Sequence, residues 1–157
     1  MTRSLRPVYG IEFFLQALPK IVRAEPSTRA AVVGTGPLDG RLRNLARQLG
    51  VSDYVRFTGF IPNEELPQYL NAADVYVSTS LSDGTSLSLL EAMSCGLPAV
   101  VSDVPANLEW AQDGLNGFVV PRRDTKAIAE KLLRLLRDPS LARQMGERNL
   151  IIARQRA

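Results

Sequence analysis

Along this chain, compact apolar runs alternate with longer stretches in which apolar positions recur every three or four residues. The compact runs lie at residues 29–34 (RAAVVG), 54–58 (YVRFT), 74–78 (DVYVS), 98–102 (PAVVS) and 118–120 (FVV). Short valine-rich runs of this kind predict strands, and residues 1–5 read as the end of a further strand without its beginning. Between the runs, residues 10–24 put Ile11, Phe14, Leu15, Leu18, Ile21 and Val22 on one stripe. A helix is expected there, with Pro19 weakening its second half. The same period predicts helices over 38–49, stopped by Gly50, over 64–72, capped by Asn63, over 86–95 and over 105–112. Asp124 caps a long helix to Arg137, and Asp138-Pro139 breaks it before a last helix from residue 140.

Strand and helix alternate throughout, which predicts an α/β fold: a Rossmann-like parallel sheet with helices on both faces. No repeat, low-complexity tract or linker interrupts the pattern, so residues 1–157 are expected to form one domain. Open parallel sheets bind ligands outside the carboxyl ends of their strands. The loops at those ends, residues 34–37, 59–63, 78–85 and 102–107, are expected to line one crevice.

Composition narrows the chemistry. There is no histidine, so a Ser/His/Asp triad, a His-ligated metal or histidine acid–base catalysis is not available from this chain alone. Cys95 stands alone; it excludes an internal disulfide and a multi-cysteine zinc site and reads as a small buried residue in a reducing compartment. With 45% hydrophobic residues but no run of membrane-spanning length, and no signal-like opening, the chain reads as soluble and cytoplasmic. The formal net charge of +3 is carried largely by arginines at helix-face spacing among acids and alanines. Without interleaved aromatics, that reads as a solvated face and not a nucleic-acid surface.

The most informative stretch is residues 78–98, STSLSDGTSLSLLEAMSCGLP. A strand ends, small polar residues and Gly84 make a turn, and a helix begins. Such a start directs unpaired backbone N–H groups and the positive end of the helix dipole at whatever lies above the turn, which suits a phosphate. Asp83 and Glu91, with seven residues between them, would face one cavity from different depths. The plainer reading makes Ser86 and its neighbours capping residues and Glu91 a solvated one. Gly34-Thr35-Gly36-Pro37 resembles the opening of a dinucleotide fingerprint, yet Asp39 stands where its third glycine belongs and Gly40 is displaced by one. Both glycines are expected at least to turn the chain back onto the sheet.

Taken together, Val33-Gly34-Thr35-Gly36-Pro37, residues 55–62 (VRFTGFIP), 72–80 (AADVYVSTS), Asp83-Gly84-Thr85-Ser86, 89–98 (LLEAMSCGLP) and 113–117 (DGLNG) resemble the donor-binding half of GT-B retaining glycosyltransferases. The family in question is glycosyltransferase family 4, or glycosyl transferases group 1. The resemblance implies that Asp83 and Glu91 form an E-x7-E motif, Glu91 accepting hydrogen bonds from ribose hydroxyls and Asp83, one methylene short of the usual glutamate, reaching the transferred sugar. It implies that Gly84, Thr85, Ser86 and Leu87 set amides and hydroxyls against the diphosphate, that Phe60 and Ile61 hold the base edge, and that Gly34 and Gly36 belong to the same nucleotide-binding set. The family's early arginine and lysine fall on Ser4 and Tyr9 in gapless register, so the resemblance implies either that Arg3 or Arg6 takes the phosphate or that this branch is weakened or inactive.

The resemblance thus leads to the expectation of a chain that binds a nucleoside diphosphate sugar, needs no metal or other cofactor, and serves a hexosyltransferase acting with retention. An N-terminal acceptor domain is expected to be absent, leaving the fragment alone inactive, and peripheral membrane association is left to the full-length protein. The rival readings are a noncatalytic nucleotide-binding or interaction module, an epimerase-like sugar-nucleotide enzyme and an NAD-linked domain.

Overall fold

In the computed structural model, which describes residues 1–156, five strands and seven α-helices alternate as the hydrophobic pattern requires. They are α1 (Ile11–Ala24), β1 (Ala30–Val33), α2 (Asp39–Gln48), β2 (Val55–Gly59), α3 (Leu66–Asn71), β3 (Tyr76–Ser78), α4 (Leu87–Ser94), β4 (Ala99–Ser102), α5 (Pro105–Leu108), β5 (Gly117–Val120), α6 (Thr125–Arg137) and α7 (Pro139–Arg156). All strand pairs are parallel: β1 with β2, β3 with β4, and β4 with β5. Residues 1–3 run alongside β1, the Arg3 amide donating to the Val33 carbonyl at 2.9 Å, so the strand end expected at residues 1–5 is present only as a single bridge between Thr2 and Val33.

The expected α/β fold of parallel strands between two helical layers is present. Its strands form two hydrogen-bonded groups, β1–β2 and β3–β4–β5. A cavity of about 930 Å³ separates β1 from β3, bordered by Thr2, Ala31, Val75 and Tyr76 at its edges and by Leu18 and Leu135 from the helices. The two sheets nevertheless share one core. Val32 of β1, Val77 of β3, Val100 of β4 and Phe118 of β5 bury with α1 and α6, while Tyr76, Ala99 and Val101 bury on the other side with Leu89 and Met93 of α4 and Ala153 of α7. Neighbouring strand residues thus go to opposite helical layers, the period-two consequence of the pleat.

Local differences have local causes. Helix α1 continues through Pro19 to Ala24 because Leu18 and Ile21, on either side of it, are fully buried; packing outweighs the lost hydrogen bond. Asn63 does not cap α3. The amides of Glu65 and Leu66 instead turn onto the Pro62 carbonyl, and the helix starts at Leu66. Helix α5 stops at Leu108, and Gln112 donates its amide to the Asn116 side chain at 2.7 Å, which starts the turn into β5. Asp124 caps α6 through the Ala127 amide, and Asp138 receives the Leu141 amide at 2.9 Å, so α7 begins at Pro139 and not after it.

Candidate functional site

The loops at the carboxyl ends of the strands are tied to one another. Gly34 donates to the Gly59 carbonyl at 2.9 Å, and Leu81 donates to Val8 at 2.8 Å. The Thr79 hydroxyl donates to the Gly10 carbonyl at 2.9 Å and the Ser102 hydroxyl to the Ser80 carbonyl at 2.5 Å. Gly34 and Gly36 make this possible by close approach: a Cβ would come within 2.1 Å of the Arg3 carbonyl oxygen at Gly34, and within 2.6 Å of the Leu5 carbonyl oxygen at Gly36. Their backbone lies against residues 3–5, which is how the turn they form presents Arg3 to the crevice.

Arg3 is the centre of charge. Its guanidinium pairs with the Asp83 carboxylate, the two side chains being 9% and 8% exposed. On another side it stands 4.9 Å from the centroid of the Tyr9 ring, a cation–π distance. The Arg3 Nε is buried and has no hydrogen-bond partner among the described residues. Arg6 is exposed and no side-chain partner meets it among the described residues, so of the two arginines expected to reach the site, Arg3 does so. Tyr9 supplies an aromatic face to the arginine.

Helix α4 opens beside this pair. The amides of residues 84, 85, 86 and 88 meet no hydrogen-bond acceptor among the described residues, while Leu87 donates to Thr85, and Leu89 and Leu90 both donate to the Ser86 carbonyl. Gly84 and Thr85 are exposed and Leu87 is 63% exposed. Ser86 is the residue before the helix, yet its side chain makes no cap; the capping role expected for it under the plainer reading is not taken. It is fully buried, with its hydroxyl 2.6 Å from Asn107 Oδ1 and 3.2 Å from Asp83 Oδ2.

Glu91 lies one turn further along α4. It lines a groove of about 360 Å³ between α3 and α4 with Asn63, Leu66, Leu70, Leu87 and Leu90. The residue is exposed on α4, as the plainer reading expected, yet partial desolvation by the groove pushes its carboxyl above the usual glutamate range, and the Arg3 guanidinium partly offsets that. No hydrogen-bond partner meets it among the described residues, so its oxygens are open to a ligand in the groove. Phe60 stands 75% exposed on the loop after β2 and Ile61 is half-buried beside it; neither side chain lines the groove. The structure therefore gathers Arg3, Asp83, Ser86 and the unengaged amides of residues 84–86 and 88 at one point, keeps Glu91 within reach of the charge of Arg3, and leaves Arg6 outside.

Sequence reasoning missed Tyr9 as the support of the cation, and Asn107 and Ser102 as the polar girders beneath α4. The available signal was a run of small polar residues after a fully apolar strand.

Arranged in this way, a buried arginine paired with Asp83 and a set of unengaged amides lie together above the parallel strands of an α/β protein. Solved structures with the same architecture are GT-B glycosyltransferases. TarM of Staphylococcus aureus superposes with a TM-score of 0.93 at 20% identity, over 99% of this chain and 31% of that one. The Anabaena protein HepE, crystallised with UDP, gives a TM-score of 0.91 at 25% identity, over 99% of this chain and 43% of that one. Among curated proteins, the GDP-mannose-dependent alpha-(1-6)-phosphatidylinositol monomannoside mannosyltransferase of Mycolicibacterium smegmatis is 38% identical over 149 residues, covering 90% of this chain. A D-inositol 3-phosphate glycosyltransferase of Frankia alni is 36% identical over 145 residues and 86% of this chain. Residues 1–150 match the family described as Glycosyl transferases group 1, and the chain belongs to that family. It spans 39% of the length of the first of these curated relatives and 35% of the second. Among the described residues no helix is long and apolar enough to cross a membrane.

Proposed function

We propose that this chain is the C-terminal, donor-binding half of a retaining glycosyltransferase of family 4, holding a nucleoside diphosphate hexose across the crevice between Arg3 and α4. The observation that carries the reading is the meeting of a buried guanidinium with four unengaged amides at one helix start. Together they favour a diphosphate over any neutral ligand. When the bond between the anomeric carbon and the phosphate oxygen breaks, negative charge gathers on the leaving nucleoside diphosphate. A preorganised cation and fixed amide dipoles stabilise that charge more than they stabilise the bound substrate.

In this reading Glu91 accepts the ribose hydroxyls, and the backbone of Phe60 and Ile61 meets the base. Asp83 reaches the sugar once the diphosphate has drawn part of the hold of Arg3 onto itself. The Thr85 hydroxyl adds a donor; the Ser86 hydroxyl, already committed to Asn107, adds none, and only its amide serves. The cationic work falls to Arg3 and the amides, so no metal has a part in the scheme. The acceptor and the rest of the machinery belong to an N-terminal domain, and the isolated chain binds donor without useful turnover. Tyr9 in place of a lysine favours a second reading, a module that binds nucleotide and transfers nothing even when whole.

The test is calorimetric titration with UDP, GDP, ADP and their hexose derivatives. Because one related protein is named for GDP-mannose and one solved structure holds UDP, both bases belong in the panel. Binding by at least one nucleoside diphosphate, weakened in Glu91→Ala, is expected; no binding by any of the three at millimolar concentration would remove the reading. A transfer assay on the full-length protein separates the first reading from the second.

A further inference from the structure

Asn107 takes no part in donor binding as proposed, yet it is fully buried and governs the residue on which α4 begins. Its Nδ2 donates to the Ser102 carbonyl at 2.9 Å, and this fixes which way the side-chain amide faces. The Ser102 hydroxyl is itself spent on the Ser80 carbonyl at 2.5 Å. Oδ1 is therefore presented as an acceptor, and the Ser86 hydroxyl donates to it at 2.6 Å. A hydroxyl has one proton. Once given to Asn107, it is not available for Asp83 Oδ2 at 3.2 Å, and the oxygen is held away from the helix.

A serine in the position before a helix ordinarily turns its oxygen back onto the amide two or three residues later. In this chain the third amide, that of Leu89, is already taken by the Ser86 carbonyl at 3.0 Å, so the one left for a cap is that of Ser88. We infer that Asn107 is a positioning residue which restrains the Ser86 hydroxyl from capping α4 and so keeps the Ser88 amide, like those of residues 84–86, without an internal partner and available to a bound anion. The inference rests on the proposed donor site and names the device that keeps it uncapped. Removing Asn107 frees Ser86 to satisfy Ser88 internally, so that an anion must then displace a cap.

The test is a pair of variants read in two ways. Ser88 is 7% exposed, so in the ligand-free chain the readout is relative: its amide should exchange more slowly in Asn107→Ala than in the parent, and return toward the parent rate in Asn107→Ala/Ser86→Ala. Asn107→Leu, closer in volume and also without an acceptor, replaces Asn107→Ala if the smaller side chain leaves the chain unfolded. In titrations with the nucleoside diphosphate that the parent binds, the single variant should lose affinity by about fivefold, the factor that competition from one capping hydrogen bond represents. The double variant should regain most of it. A purely structural role for Asn107 predicts that the second substitution makes matters worse, and that result, or unchanged exchange at Ser88 in the single variant, overturns the inference. If the parent binds no nucleoside diphosphate, the donor reading fails, while the exchange series still decides the role of Asn107.

Discussion

Arg3 and Asp83 offer the sharpest quantitative test of the site. Their side chains are 9% and 8% exposed, so neither charge is well solvated and water does little to screen them from each other. Removing one partner leaves the other buried and unpaired, which costs about 3–5 kcal/mol. For a chain of this size about 2–4 °C of melting temperature accompanies each kcal/mol, so Arg3→Met is expected to melt about 6–20 °C below the parent. Asp83→Leu is expected to fall in the same range. The double variant, which buries two apolar groups instead of an ion pair, should recover much of the loss and leave a coupling of about 2 kcal/mol or more. Urea titration of the four proteins at pH 7, with the slopes compared to check that each transition stays two-state, supplies the numbers. Binding provides the second readout: Arg3→Met should lose the nucleoside diphosphate, whereas Asp83→Leu, which frees the guanidinium, should keep it. If either single variant lies within about 0.5 kcal/mol of the parent, or the two losses simply add, the pair is not a buried anchor.

Other perturbations separate the site from its scaffold. Because partial desolvation raises the Glu91 carboxyl above its unfolded value, that group's contribution to stability is intact below the usual glutamate range and is lost as pH rises through the raised value. Glu91→Gln should therefore melt no lower than the parent at pH 7 while binding nucleotide more weakly, and parent affinity should begin to fall at a pH above the usual glutamate range; a melting temperature well below the parent would contradict this. Asn149 donates to the Leu97 and Asn116 carbonyls at 2.7 and 2.8 Å and accepts from the Asn116 side chain at 2.7 Å. Replacing it with leucine strands three buried polar groups, and a loss of about 3 kcal/mol or more in urea unfolding is expected. Gly36→Ala would bring a Cβ to 2.6 Å from the Leu5 carbonyl oxygen, so a loss of about 1–3 kcal/mol is expected in the same assay, since backbone on both sides must move.

Much of this architecture could be read from the residues because period-two and period-3.6 patterns are imposed by the same burial that makes the core. Val32, Val77, Val100 and Phe118 sit in compact runs and become strand residues facing one core. What escaped was decided by partners distant in sequence. The late start of α3 is an exception, decided locally where the Pro62 carbonyl takes the Glu65 and Leu66 amides. At the site, Asp83, Ser86 and Glu91 announced themselves through turn chemistry and spacing. The choice of Arg3 over Arg6 did not, because it depends on the register of residues 1–3 along β1 and on the Tyr9 ring. Asn107 was hidden for a related reason: its importance lies in two hydrogen bonds, one to a residue five positions earlier and one to a residue twenty-one positions earlier.

Arg3 lies on the segment that runs along β1, and Asp83 lies on the loop that follows β3, so their ion pair ties one sheet to the loop that leaves the other. In the proposed site, an anion held by Arg3 and by the first amides of α4 would join the same elements, adding to the core that the two sheets already share.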